Sequence, residues 1–304
     1  MTREEINEEI HKEIQKEQNK EKRKKIIKRL IIIILIILIG STCFYGYTTY
    51  ISTVKVTVRE YRIKNKKIPS SFNGIKIIQI SDLHFGSTFS SKELDNTIKL
   101  INERKPDLVV FTGDLISKDY SLTTKKQEKL INQLKSITSS LGKYAILGDS
   151  DTEEISTIYN QSDFTLLRNE AELLYKDSNE PILLVGLSST KNNQNVADAY
   201  KYFTEETHNA NIFTISLLHE PDVVDDILNT YPTDLFLAGH SHNGTIRIPF
   251  INYPLIKEKG ALKYNNEHYN IKDSDLYISS GLGSEKGIRL FCRPSINFFR
   301  LTNK

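Results

Sequence analysis

Five apolar segments of this 304-residue chain run directly into aspartates and histidines, residue types that can ligate metal ions. Residues 75–80 are followed by Ser81-Asp82-Leu83-His84, and residues 108–112 by Gly113-Asp114. Residues 144–147 lead into Gly148-Asp149-Ser150-Asp151, 212–218 into His219, and 234–238 into Gly239-His240-Ser241-His242. Four of the chain's seven histidines, His84, His219, His240 and His242, therefore follow apolar runs. A donor set that mixes carboxylates with imidazoles suits borderline divalent ions such as Mn²⁺, Fe²⁺ or Zn²⁺, whereas Ca²⁺ takes oxygen ligands alone. Taken singly, the pieces say little. A Gly-Asp pair after a strand is usually a turn closed by the aspartate side chain, and the histidine of Asp-x-His is often satisfied by backbone. Their joint order along one chain carries the specificity.

The elements that must position these residues read as an α/β chain. Val54, Val56 and Val58 alternate with Lys55, Thr57 and Arg59, which predicts a strand over 53–63. Further strands are expected at 75–80, 108–112, 144–147, 182–186, 212–218 and 234–238, and helices at 92–103, 125–137 and 223–230. The end of the chain turns β-rich, at 245–248, 276–279 and 296–301. Near-continuous apolar strands separated by amphipathic helices imply sheets buried on both faces. Ligands bind beyond the carboxyl ends of strands in open α/β sheets, so the five strand-end segments are predicted to converge on one pocket.

The motif order resembles that of the calcineurin-like metallophosphoesterases: Asp-x-His, Gly-Asp, a Gly-Asn-His-Asp motif, His, and Gly-His-x-His. Four of those five motifs stand here intact. The longer stretches IKIIQISDLHFG (75–86), LLHEPD (217–222), GHSHNG (239–244) and GLGSEKGIRLFCRPSI (281–296) look like the bacterial phosphodiesterase branch that carries an N-terminal membrane or export segment. The resemblance runs from about residue 53 to residue 301, so 53–304 is expected to form one metallophosphoesterase domain. It implies a four-layer α/β/β/α sandwich, two mixed sheets face to face with helices outside. It also implies two divalent ions, one held by Asp82, His84, Asp114 and His242, the other by Asp114, Asp149, His219 and His240, with Asp114 bridging. Two such ions, about 3.5–4 Å apart, activate a water and stabilise the phosphoryl oxygens of an in-line displacement. The implied activity is hydrolysis of a phosphoric ester, with a phosphodiester or diphosphate substrate favoured over a phosphoprotein.

The third motif departs from the family pattern, with Asp149 where the family has asparagine and Ser150 where it has histidine. Aspartate can still ligate, and brings a full charge. Three carboxylates (Asp82, Asp114, Asp149) against two divalent ions leave +1, where asparagine would leave +2, so the pull on an anionic phosphate weakens. The family's histidine protonates the leaving oxygen or steadies the transition state, supported by the aspartate that stands here as Asp151. A serine hydroxyl cannot act as a general acid near neutral pH. General acid catalysis contributes about 10²–10⁴-fold, so a large deficit is expected for poor leaving groups and a small one for diphosphates and activated esters. A nucleophilic Ser150 lacks an identifiable adjacent base. The competing reading is a degenerate, non-catalytic module on the membrane surface that binds metal structurally.

Residues 30–54 contain no charged side chain, long enough for the roughly 20 apolar residues that cross a bilayer. We read residues 30–50 as an uncleaved transmembrane helix, with Tyr45, Tyr47 and Tyr50 at one interface. Residues 1–29 form a charged tail in which Ile6, Ile10 and Ile14 predict a short, partly frayed amphipathic helix. Lys20, Lys22, Arg23, Lys24, Lys25, Lys28 and Arg29 crowd the N-terminal flank, against only Lys55 and Arg59 just after the span. The positive-inside rule then predicts a single-pass membrane protein with its N-terminus in the cytoplasm and the catalytic domain outside. Formal net charge is only +3, from 41 basic and 38 acidic residues, which argues against a nucleic-acid partner. Of the two cysteines, Cys43 lies in the apolar run, so no disulfide can form within the domain. His11, His208 and His268 lie in polar surroundings and read as solvated. Nothing in the sequence specifies an oligomeric state.

Overall fold

The computed structural model describes residues 2–204, 211–248, 253–285 and 287–304; His208 lies outside them. The chain forms two compact units, Met1–Thr48 and Thr49–Lys304. In the first, a helix α1 (Arg3–Gly46) runs without a break. The expected short, frayed segment is thus corrected, since the helical turns continue straight into the apolar run. A helix already nucleated extends at little further cost, and the pairs Glu8–Lys12 and Glu21–Lys24 support it on the surface. The helix is long and apolar enough to cross a membrane.

In the second unit the chain alternates strands with helices: β1 (Thr57–Lys64), β2 (Lys76–Ile80), α2 (Ser91–Glu103), β3 (Leu108–Phe111), α3 (Thr124–Lys135), β4 (Gly142–Ala145), α4 (Ile155–Gln161) and β5 (Thr165–Leu166). It continues through β6 (Glu170–Leu174), β7 (Ile182–Gly186), α5 (Val196–Ala199), β8 (Thr214–Leu218), α6 (Val224–Leu228) and β9 (Leu235–Ala238). It ends with β10 (Arg247–Ile248), β11 (Tyr253–Pro254), β12 (His268–Ile271), β13 (Ser274–Ile278) and β14 (Ser295–Thr302). One six-stranded sheet has the order β1-β14-β2-β3-β4-β5, the other β12-β13-β9-β8-β7-β6. Within the first, β2, β3, β4 and β5 are parallel; within the second, β7, β8, β9 and β13 are. The short strands β5, β6 and β12 were not legible in the hydrophobic pattern.

Side-chain alternation builds the four layers. Ile77, Leu108 and Val110 face inward and meet Leu184, Ile215, Leu217 and Leu237 of the other sheet. Ile78, Ile80, Val109 and Phe111 face outward against Leu94, Ile98 and Ile101 of α2 and Leu130 and Leu134 of α3. On the far side Leu183, Val185 and Phe236 pack on Val224 and Ile227 of α6. Each such buried side chain contributes roughly 1.5–3 kcal/mol, and α2 is fixed at its start by a capping box of Ser90 and Glu93. The sandwich is the α/β/β/α architecture expected. His268 is exposed, as the sequence suggested, and on the surface its ring stacks on Tyr277 with Nε2 2.8 Å from Asp275 Oδ1.

Candidate metal centre

The carboxyl ends of β2, β3, β4, β8 and β9 deliver their loops to one place. Direct links tie the sheets together there: Gln79 Nε2 donates to the Ala238 carbonyl at 2.9 Å, and His219 Nδ1 lies 2.8 Å from the Thr112 carbonyl. All seven residues singled out as ligands come together. Asp82, His84 and His242 form one group and Asp149, His219 and His240 another, with ligand atoms inside 4.8 Å of one another within each. Asp114 lies between them, its Oδ2 3.7 Å from His84 Nε2 and 3.4 Å from His219 Nε2. Asp82, Asp114 and His219 are buried at the back, while His84, Asp114, Asp149, His240 and His242 line a cavity of about 80 Å³. That volume holds several water-sized bodies.

Backbone strain is concentrated here. Asp82, His84, Asp114, His240 and His242 all have φ between 40° and 65°, a region that costs a non-glycine residue about 1–3 kcal/mol and clusters at functional sites. Close approach fixes the glycines too. A Cβ on Gly148 would collide with the backbone N and Oδ1 of Asp114, and one on Gly113 would lie 2.5 Å from Gly148 Cα. The β3 and β4 loops therefore touch backbone to backbone, which brings Asp114 and Asp149 into one site.

The donors fit a cation. His219 offers Nε2 because Nδ1 is engaged by the Thr112 carbonyl, and His240 offers Nδ1 because Nε2 lies 2.8 Å from the Lys259 carbonyl. Such outer contacts set which ring nitrogen faces a metal. The Nε2 atoms of His84 and His242 lie 3.0 Å apart, and buried His84 Nδ1 has no hydrogen-bond partner. Burial opposes a charge on His219, but Asp114, Asp149 and Asp82 outweigh it and hold its pKa well above the ordinary value. Burial, His84 and Arg289 keep His242 neutral, the state that ligation requires. Burial also opposes ionisation of Asp149, yet His219, His240 and Lys191 hold its pKa far below the usual carboxylate range.

Ser150 and Asp151 face the site differently from their neighbours. Ser150 donates its backbone N–H to Asp114 Oδ1 at 2.8 Å, while its buried hydroxyl has no partner and is not among the cavity-lining groups. Asp151 is a clamp between loops. Its carboxylate accepts the N–H groups of Asp114 and Leu115 at 2.8 Å and of Gly148 at 2.9 Å. Burial and the Asp114 charge push its pKa up to about 7, against the pull of those three amides.

Sequence reasoning missed Lys118, Lys191, Glu285 and Arg289. Lys191 and Lys118 approach Asp149 Oδ2 at 2.8 and 3.5 Å, and Glu285 Oε1 lies 3.5 Å from His84 Nδ1. Arg289 is fully buried, donates to the Ser280 carbonyl at 2.7 Å, and places Nη2 3.3 Å from His242 Nδ1. Glu285 and Arg289 fall in the 281–296 stretch already singled out, but no local pattern marks either as a neighbour of the site.

The family model for calcineurin-like phosphoesterases matches residues 75–244. An uncharacterised metallophosphoesterase of Bacillus subtilis, YkuE, is 31% identical over 264 residues, covering 84% of this chain and 89% of its own length. The UDP-2,3-diacylglucosamine pyrophosphatase LpxG of Chlamydia muridarum is 28% identical over 301 residues, covering 81% of this chain and 89% of its own. Phosphodiesterase YaeI of Escherichia coli K12 is 27% identical over 239 residues, covering 74% and 82%.

Proposed function

Because this chain belongs to the calcineurin-like phosphoesterase family, and is thereby a metal-binding hydrolase of phosphoric esters, we propose that it cleaves a diphosphate or phosphodiester of a lipid-linked envelope substrate at a two-metal centre. One observation carries the reading: Asp114, which lines the cavity, lies 3.7 Å from His84 Nε2 and 3.4 Å from His219 Nε2, between two groups of carboxylate and imidazole donors. Asp82, His84, Asp114 and His242 would hold one divalent ion, and Asp114, Asp149, His219 and His240 the other, with Mn²⁺, Fe²⁺ or Zn²⁺ suited to the donors. When bound, the ions supply Lewis acidity toward the phosphoryl oxygens and a nucleophilic water near neutral pH. The chain's own part is positional. Thr112 and Lys259 carbonyls orient His219 and His240, and Asp151 locks the Asp114 loop to the Asp149 loop.

Exposed apolar side chains on the segments that carry the lining residues Thr245 and Glu258 support a lipid-linked substrate. Among the described residues after Val54, the exposed large apolar residues are Tyr175, Ile248, Tyr253, Leu255, Leu262 and Phe291. All but Tyr175 sit on the segments that border the site. Lys259, between Leu255 and Leu262, contacts His240 through its carbonyl, and Leu290, beside Phe291, pairs with Ile246. The LpxG relative is named for hydrolysing a diacylated nucleotide diphosphate, and diphosphates leave without the protonation that Ser150 cannot supply.

The test is the full chain in detergent, assayed for metal content and for turnover of bis(p-nitrophenyl) phosphate and a long-chain lipid diphosphate. Turnover should vanish with chelator and return with Mn²⁺. The lipid diphosphate should exceed a soluble nucleoside diphosphate about tenfold in kcat/KM, the effect of burying about two methylenes. Full metal occupancy without turnover of any ester would favour the non-catalytic module; equal rates on both diphosphates would remove the lipid assignment. The basic cluster at 20–29 supports an orientation with the N-terminus in the cytoplasm and the domain outside. Protease added to spheroplasts should therefore digest the domain, and protection until lysis would reverse that orientation.

A further inference from the structure

The two oxygens of Asp149 have different neighbours. Oδ1 faces the imidazoles, 3.5 Å from His219 Nε2 and 3.7 Å from His240 Nδ1. Oδ2 turns away and accepts from Lys191 Nζ at 2.8 Å and Lys118 Nζ at 3.5 Å. The two ammonium groups thus meet two carboxylates, Asp149 and Glu285, but only one of these pairs is tight. Lys191 makes the close pair. Lys118 lies 3.5 Å from Asp149 and 3.7 Å from Glu285 Oε2, longer than the about 2.7–2.9 Å of a tight charged hydrogen bond. Its side chain is 43% exposed and lines the cavity beside His84, Asp114, His240 and His242. The Ser150 hydroxyl, by contrast, is buried and off that surface.

We infer that Lys118 is the cation that binds a non-bridging phosphoryl oxygen at the mouth of the cavity, and that Lys191 is the standing counter-ion of Asp149. This rests on reading the site as a phosphoesterase centre. The charge that Asp149 subtracts is returned by Lys191, and the contact that a histidine at position 150 would make with the phosphoryl group comes instead from the loop after β3. An ammonium offers three donors on a flexible stem and suits a tetrahedral oxyanion as a point charge. The role is electrostatic, and no proton transfer is assigned to it. A group held at intermediate distance by two acids can turn to a phosphate without breaking a tight ion pair.

The experiment uses the Mn²⁺-loaded full chain in detergent, with inorganic phosphate as probe by calorimetry and metal content by mass spectrometry. Lys118→Ala and Lys118→Gln should each weaken phosphate binding about 10- to 100-fold, the effect of one hydrogen bond to a charged group, with metal content unchanged. Lys118→Arg should recover most of the affinity, while Lys191→Ala, which leaves the Asp149 charge uncompensated but removes no phosphate contact, should cost distinctly less than the Lys118 variants. Unaltered phosphate affinity in Lys118→Ala, with wild type binding normally, overturns the assignment. Equal losses in the Lys118 and Lys191 variants overturn it too, since both would then act only through Asp149. Wild type that binds Mn²⁺ but no phosphate removes the phosphoesterase reading and this assignment with it.

Discussion

Replacing Asp114 by asparagine is expected to strip most of the bound metal and to lower kcat/KM on the order of 10³-fold or more. Outer-shell partners of metal ligands typically contribute about 10–100-fold, and Asp114 stands closer to the chemistry than any of them. Its Oδ2 lies within 3.7 Å of His84 Nε2 and 3.4 Å of His219 Nε2, so one carboxylate is within reach of both groups of donors. An amide keeps the shape, and its oxygen can still accept the Ser150 N–H, now at 2.8 Å from Oδ1. The loop geometry should therefore survive while the shared charge is lost. The checks are metal content, turnover and a melting curve on the same preparation. A variant that melts normally and keeps both ions with turnover within about tenfold of wild type would show that Asp114 is not the shared ligand.

Ser150→His should act in the opposite direction. The serine hydroxyl has no hydrogen-bond partner, so its removal forfeits no bond. An imidazole there adds a proton donor of the kind the family places beside the leaving oxygen. The gain should follow the leaving group: about 10²-fold or more on an alkyl ester, and little on a nitrophenyl ester, which departs unprotonated. Combining it with Asp149→Asn should not give additive effects, because the two positions adjoin in one site. Asparagine would raise the charge of the centre but lose the close Lys191 contact at 2.8 Å. Metal affinity should fall while the electrophilicity of what binds rises. A Ser150→His variant with both ions bound and no gain on any alkyl ester would mean that proton donation does not limit turnover. Lys118 and a diphosphate leaving group would then suffice.

The seven proposed ligands were legible because each follows a short run of apolar residues that reads as a buried strand. Strand ends in an α/β sheet gather at one edge, so the order Asp82-His84, Asp114, Asp149, His219, His240-His242 already pointed to one candidate site, and its mixed N/O donors to a divalent ion. Residues 30–54, without a charge, likewise announced a helix able to cross a membrane. Tertiary structure decided the rest. Asp151 reads in sequence as the partner of a missing histidine, yet its carboxylate is taken up by the amides of Asp114, Leu115 and Gly148. Lys118 and Lys191 lie 31 and 42 residues from Asp149, and Arg289 lies 47 from His242. Strands β5, β6 and β12 are too short or too polar to show a period. Periodicity reports the local question of which face a residue turns to the core. Which charge meets which depends on where loop closure sets the chain down, and that is fixed only when the two sheets pack.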